Sequence, residues 1–132
     1  MLVISDSCYA GQLGSDKSPF LFGVSGTADS ERTIRAGISR RARVVISSGG
    51  VRPVLDGSNK THSIFASALI EALEGNDKAL RDSALFAQLS VNVRKRSAIA
   101  TFADEVQSPE MKPVREAGHE GGTFYFVPKK PL

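Results

Sequence analysis

The segment Met1-Leu2-Val3-Ile4-Ser5-Asp6-Ser7-Cys8-Tyr9-Ala10-Gly11 runs from an uninterrupted apolar stretch into small and polar residues, and it carries the only cysteine of the chain. Leu2, Val3 and Ile4 have the continuously apolar, partly β-branched character of a strand covered on both faces. Gly11 and the Gly, Ser and Asp residues after it end any regular element. Cys8 therefore falls where a strand gives way to a loop, and in open α/β sheets ligands bind outside that carboxyl edge. A free cysteine more often acts as a small buried hydrophobe, so position alone makes Cys8 a candidate nucleophile and no more. Asp6 precedes it by two residues, the spacing that puts two side chains on the same side of an extended chain.

Outward from this segment, residues 12–42 read as a long connection. Gly14, Ser15, Asp16, Lys17, Ser18 and Pro19 form a loop, Phe20-Leu21-Phe22 is a short apolar clip, and 27–42 is a polar stretch able to hold a short helix. Residues 43–48 are a second core strand, followed by a loop up to His62 in which Gly49, Gly50, Pro53, Asp56, Gly57, Ser58 and Asn59 give backbone freedom. Over 63–73, Ile64, Phe65, Ala68, Leu69, Ile70 and Leu73 fall near helical spacing, with Ser63 as N-cap and Gly75-Asn76 as the stop. Residues 83–99 predict a second amphipathic helix, with Leu85, Phe86, Leu89 and Val93 on one side and Gln88, Asn92, Lys95 and Arg96 on the other. Pro109 and Pro113 bracket a turn-rich loop, and 123–127 is the last strand, ended by Pro128.

Such an alternation predicts an α/β domain, but about three to four strands and two to three helices make a meagre sheet. A parallel core strand that starts at Met1 needs neighbours on both sides. The expectation is therefore the C-terminal part of a larger α/β domain whose remainder lies upstream.

Composition narrows the class. A chain of 132 residues with 41% hydrophobic and 23% charged residues has room for one globular domain and is not of disordered type. No apolar run approaches the roughly 20 residues that span a bilayer, and the first residues lack the layout of a signal peptide, so no membrane partner is expected. The net charge of +3 is small, and its only clusters, Arg40, Arg41, Arg43 and Arg94, Lys95, Arg96, have no aromatic residues interleaved. Nucleic acid is therefore not expected either. One cysteine forms no internal disulfide, which agrees with a reducing, cytoplasmic setting. Cys8, His62 and His119 have no recognisable metal-ligand spacing. No carboxylate array carries a calcium-loop signature, so no cofactor is expected.

Four segments, taken in order, resemble the caspase-like cysteine peptidases, particularly metacaspases and their bacterial relatives. An apolar strand followed by Asp6-Ser7-Cys8-Tyr9-Ala10-Gly11 looks like their strand and Asp-x-Cys-x-[Ser/Ala]-Gly nucleophile segment. Arg43-Val44-Val45-Ile46-Ser47-Ser48-Gly49-Gly50 looks like the next core strand entering a substrate loop. His62-Ser63-Ile64-Phe65 is similar to the Gly-Ser-x-Phe start of the helix after that loop, with His62 where relatives often have glycine. Gly121-Gly122-Thr123-Phe124-Tyr125-Phe126 is similar to the Gly-Gly-x-Phe-x-Phe strand that closes such domains. The resemblance implies a caspase-like sheet flanked by helices and a thiol endopeptidase acting on a peptide or protein substrate. It also implies that the 12–42 connection is flexible or processed, with Lys17, Arg32, Arg35, Arg40 and Arg41 as the basic positions for self-cleavage. Some metacaspases depend on calcium, which this sequence does not reveal.

The chemistry needs a thiolate, a histidine to generate it and protonate the leaving amine, and backbone donors for the oxyanion. Cys8 supplies the first, and its own N–H one oxyanion donor. The family's histidine stands in a His-Gly pair at the end of the strand before the cysteine strand, which here means upstream of Met1. His62 and His119 read as structural residues. A carboxylate as close as Asp6 raises a thiol's pKa and is a poor activator. By resemblance Asp6 lines the pocket for the substrate side chain before the scissile bond and selects Arg or Lys. Asp56 is a second candidate for the cleft, against a plain turn role in Asp56-Gly57. The rival readings are a catalytically inactive caspase-like interaction or regulatory module, and a different α/β hydrolase pairing Cys8 with His62 or His119.

Overall fold

The apolar run Val44-Val45-Ile46 followed by Ser47 forms the central strand, β2 (Val44–Ser47), and all of its residues are buried. A computed structural model of the chain describes residues 1–7, 10–15, 30–49, 62–100 and 106–129. On one side β2 pairs in parallel with β1 (Leu2–Ser5), Leu2 opposite Val44 and Ser5 opposite Ser47. On the other it pairs antiparallel with a strand at Glu110–Pro113, Ile46 opposite Met111. Among the described residues the architecture is mixed α/β, with this small mixed sheet, a separate two-stranded ribbon and three α-helices. Along β2 side chains alternate faces. Val44 and Ile46 join Leu2, Ile4 and Met111 beneath Ile64, Phe65 and Ala68 of α2 (Ile64–Glu74) and Phe86, Leu89 and Val93 of α3 (Asp82–Ala100). The two helices match the expected spans, as does the buried face of α3.

Three expectations need revision. Leu2, Val3 and Ile4 are half-buried rather than covered on both faces, because β1 is an edge strand of the described sheet with β2 as its one neighbour. Between Pro109 and Pro113 there is a strand, not a turn-rich loop. Here tertiary pairing with β2 overrides the proline punctuation, and Pro113 is tolerated at the end of an edge strand. The last strand is only Tyr125–Phe126, and it lies outside the main sheet, pairing antiparallel with Leu80–Arg81. In chain order these elements are β3 (Leu80–Arg81), β4 (Glu110–Pro113) and β5 (Tyr125–Phe126).

Within 12–42 the described residues are 12–15 and 30–42. Helix α1 (Glu31–Ile38) starts at Ser30, whose side chain accepts the Thr33 N–H, and carries an exposed Arg35–Glu31 ion pair one turn apart. Its end is tied by the Thr123 N–H to the Gly37 carbonyl at 3.0 Å. Arg32 and Arg35 are thus inside a helix that must unwind before a peptidase can use them. Arg41 bonds Glu120, and the Arg40 carbonyl lies where a side chain on Gly122 would be. Lys17 lies outside the described residues. Residues 12–15 run beside β4: Ser15 donates to the Pro113 carbonyl at 2.8 Å, and a Cβ on Gly14 would come within 2.6 Å of Lys112.

Candidate active site

Because β1 and β2 are parallel, Ser5 and Ser47 finish at the same edge of the sheet. The Ser48 N–H donates to the Ser5 carbonyl at 3.0 Å, so the ladder is continued one step beyond both strands. Asp6 and Ser7 then turn out into solvent, and the Ser7 hydroxyl meets that of Ser5 at 3.0 Å. The amino end of α2 arrives at the same place. Ser63 caps it by accepting the Ala66 N–H at 2.9 Å, and donates its own proton to Asp6 Oδ2. An anionic side chain at a helix amino end also meets the positive end of the helix dipole. Asp6 is thus an exposed carboxylate at the carboxyl edge, with one oxygen held by a hydroxyl. Cys8, two residues further on, and Asp56 lie outside the described residues.

The two histidines separate. His62 is exposed and adjacent to Ser63, on the Asp6 side of the sheet. His119 is at the other end: its Nδ1 accepts the backbone N–H of Arg43, the residue before β2, at 3.1 Å. The four residues of β2 intervene, about 13 Å of strand. His119 is therefore remote from the edge that Asp6 leaves. Accepting at Nδ1 places the proton of the neutral ring on Nε2. Burial pushes the His119 pKa down, against the opposing pull of the Asp82 carboxylate. Asp82 itself is pushed up, mainly by burial, although its oxygens accept the N–H groups of Ser83 at 2.7 Å and Phe124 at 3.0 Å.

Beneath the carboxyl edge lies a polar cluster that sequence reasoning missed. Ser47, Ser48, Ser97 and Gln107 are all buried. Gln107 Nε2 donates to the Ser48 carbonyl at 2.8 Å, and the Gln107 backbone N–H donates to Ser97 Oγ at 3.0 Å. Since the Ser48 oxygen only accepts, the amide orientation is determined and Gln107 Oε1 points elsewhere. Among the described residues, Gln107 Oε1 and Ser48 Oγ are buried without a hydrogen-bond partner. The Ser47-Ser48-Gly49 run at the end of an apolar strand was the one available signal; Gln107 has none, lying between α3 and β4 in no periodic pattern.

Away from this edge, α2 and α3 are joined by an exposed bidentate pair between Glu71 and Arg96, which pulls the Glu71 carboxyl pKa down. Among the described residues no group of three His, Cys, Asp or Glu side chains is placed to hold a metal ion. None of the described helices is long and apolar enough to cross a membrane. Comparison with protein-family models, curated proteins and solved structures finds no match.

Proposed function

We propose that the chain is the C-terminal part of a caspase-like cysteine endopeptidase that hydrolyses peptide bonds after Arg or Lys. The observation that carries the reading is the exposed Asp6 carboxylate at the carboxyl edge of two parallel strands, two residues before the only cysteine and beside the amino end of α2. In this reading the Cys8 thiolate attacks the scissile carbonyl, and the Cys8 N–H is one donor to the developing oxyanion. The amine leaves with a proton from a histidine contributed by sequence upstream of Met1, and water then hydrolyses the thioester. Asp6 receives the positive side chain before the scissile bond, with Asp56 as a further cleft residue. A reducing, cytoplasmic setting keeps the thiol available.

A histidine within the chain is the second reading, and one observation favours it: the Ser63–Asp6 bond brings His62 to the edge from which the Cys8 segment leaves. Both readings are tested with the full-length protein and reporter peptides ending in Arg, Lys or a neutral residue. Cys8→Ala is expected to abolish cleavage after Arg and Lys, and His62→Ala to retain it. Loss of activity in His62→Ala with a shifted pH profile moves the base to His62. Cleavage by Cys8→Ala at the wild-type rate overturns the peptidase assignment, and a silent wild-type protein leaves the inactive interaction or regulatory module.

A further inference from the structure

Ser63 has two partners, and they use different parts of its hydroxyl. A lone pair accepts the Ala66 N–H at 2.9 Å, and the single proton goes to Asp6 Oδ2. Each bond restricts the rotation that the other leaves, so the hydroxyl is fixed from both sides. Its two partners are 57 residues apart on one side and three on the other, so Ser63 joins a long-range contact to a local helix cap. Asp6 sits beyond the last residue of β1 and is exposed. Among the described residues, Ser63 supplies the side-chain hydrogen bond that this carboxylate accepts. An aspartate on such a segment otherwise divides its time among rotamers, and a ligand that needs one of them bears the ordering cost. With Oδ2 engaged by Ser63, Oδ1 accepts no hydrogen bond from any described residue.

We propose that Ser63 is a positioning residue that holds the Asp6 carboxylate ready for the basic side chain of the substrate. This rests on the endopeptidase reading and adds to it a residue that sets substrate preference without touching the scissile bond. Since the contact acts on binding of a remote side chain equally in the ground and transition states, its removal raises KM and spares kcat.

The experiment measures KM and kcat of the full-length protein on matched peptides with Arg or a neutral residue before the scissile bond. Ser63→Gly is the informative change, because glycine is nearly as good a helix N-cap as serine but has no proton to donate. Ser63→Thr keeps both the cap and the donor. Ser63→Gly is expected to raise KM for the Arg peptide about tenfold, the size of one hydrogen bond to a charged group at the lower end of its range. The neutral peptide is expected to be nearly unchanged, the thermal midpoint to fall by a few degrees at most as the Asp6 bond is lost, and Ser63→Thr to stay within about twofold of wild type. In an Asp6→Asn background the Ser63→Gly change should have no further effect on preference, as expected of two residues acting as a unit.

An unchanged Arg KM in Ser63→Gly, with Asp6→Asn losing its Arg preference, overturns the role of Ser63 alone. An Asp6→Asn variant that keeps its Arg preference overturns the specificity assignment of Asp6, and the Ser63 proposal with it. A lower thermal midpoint in Ser63→Gly with equal losses on both peptides reduces Ser63 to a helix cap and likewise overturns the proposal.

Discussion

Asp82 is only 2% exposed, yet it joins two parts of the chain that are 42 residues apart. Its backbone N–H donates to the Phe124 carbonyl at 2.8 Å, and its Oδ2 accepts the Phe124 N–H at 3.0 Å, so Phe124 is held at both of its backbone polar groups. Its Oδ1 accepts the Ser83 N–H at 2.7 Å, at the start of α3 where helix donors have no intrahelical partner. Asp82→Ala deletes both side-chain bonds. Each bond to a charged acceptor is worth about 1.5–3 kcal/mol net, and a buried N–H left unmet costs about 1–3 kcal/mol. Against this stands relief of the burial cost of the carboxylate, which is large enough to push its pKa up despite the two donors.

The loss that remains is about 2–4 kcal/mol, a large share of the roughly 5–15 kcal/mol that stabilises a domain of this kind. Urea unfolding followed by circular dichroism measures it, and amide hydrogen exchange at Phe124 localises it. A second signature is the pH dependence. With a folded pKa above the ordinary 3.8, native Asp82 binds its proton more tightly than the unfolded chain does. Its contribution is therefore fully present below pH 3.8 and falls as pH rises through the folded value. The difference between wild type and Asp82→Ala should accordingly be larger in acid than at neutral pH. A change below about 0.5 kcal/mol with unaltered protection at Phe124 refutes the reasoning, since that is the range of an inconsequential surface substitution.

His119 has the opposite sign. Its folded pKa is below 6.5, so the unfolded chain binds the proton more readily, and its contribution is complete above pH 6.5 and lost as pH falls through the folded value. Urea midpoints should drop on acidification below pH 6.5, and His119→Gln should flatten that slope; an identical slope in the variant rejects the assignment. Gly122→Ala forces a Cβ to within 2.2 Å of the Arg40 carbonyl oxygen and 2.8 Å of the Ala42 nitrogen, both backbone atoms that no side-chain rotation relieves. The expected cost is about 2 kcal/mol or more, read from the unfolding midpoint.

Elements with a strong apolar period are legible in the sequence. Phe65, Ala68, Leu85, Leu89 and Val93 are buried as their spacing requires, and Ser63 and Gly75 stand at the ends of α2 as read. The strand at β4 was not legible because Met111 is its one core residue and its flanking prolines carry the usual signature of a turn. Its extended form is imposed from outside, by a ladder to β2. The same holds for β3, two residues long, whose partner Tyr125–Phe126 is far along the chain. At the candidate site, the i, i+2 relation of Asp6 and Cys8 and the cap at Ser63 were visible as separate local facts. What no local pattern contains is that one serine serves both, since its bond to Asp6 crosses 57 positions.

The two ends of the sheet are held by different contacts. Around the amino end, polar groups are matched: His119 accepts from Arg43, Glu120 meets Arg41, and Gly122 packs on the Arg40 backbone. At the carboxyl edge Gln107 Nε2 donates to the Ser48 carbonyl, and the Ser63 hydroxyl donates to Asp6. Between them Val44 and Ile46 are buried against α2 and α3. In the proposed role Ser63 is more than a cap: α2 is anchored in the core through Ile64, Phe65 and Ala68, and its capping serine carries that anchorage across 57 positions to the Asp6 carboxylate.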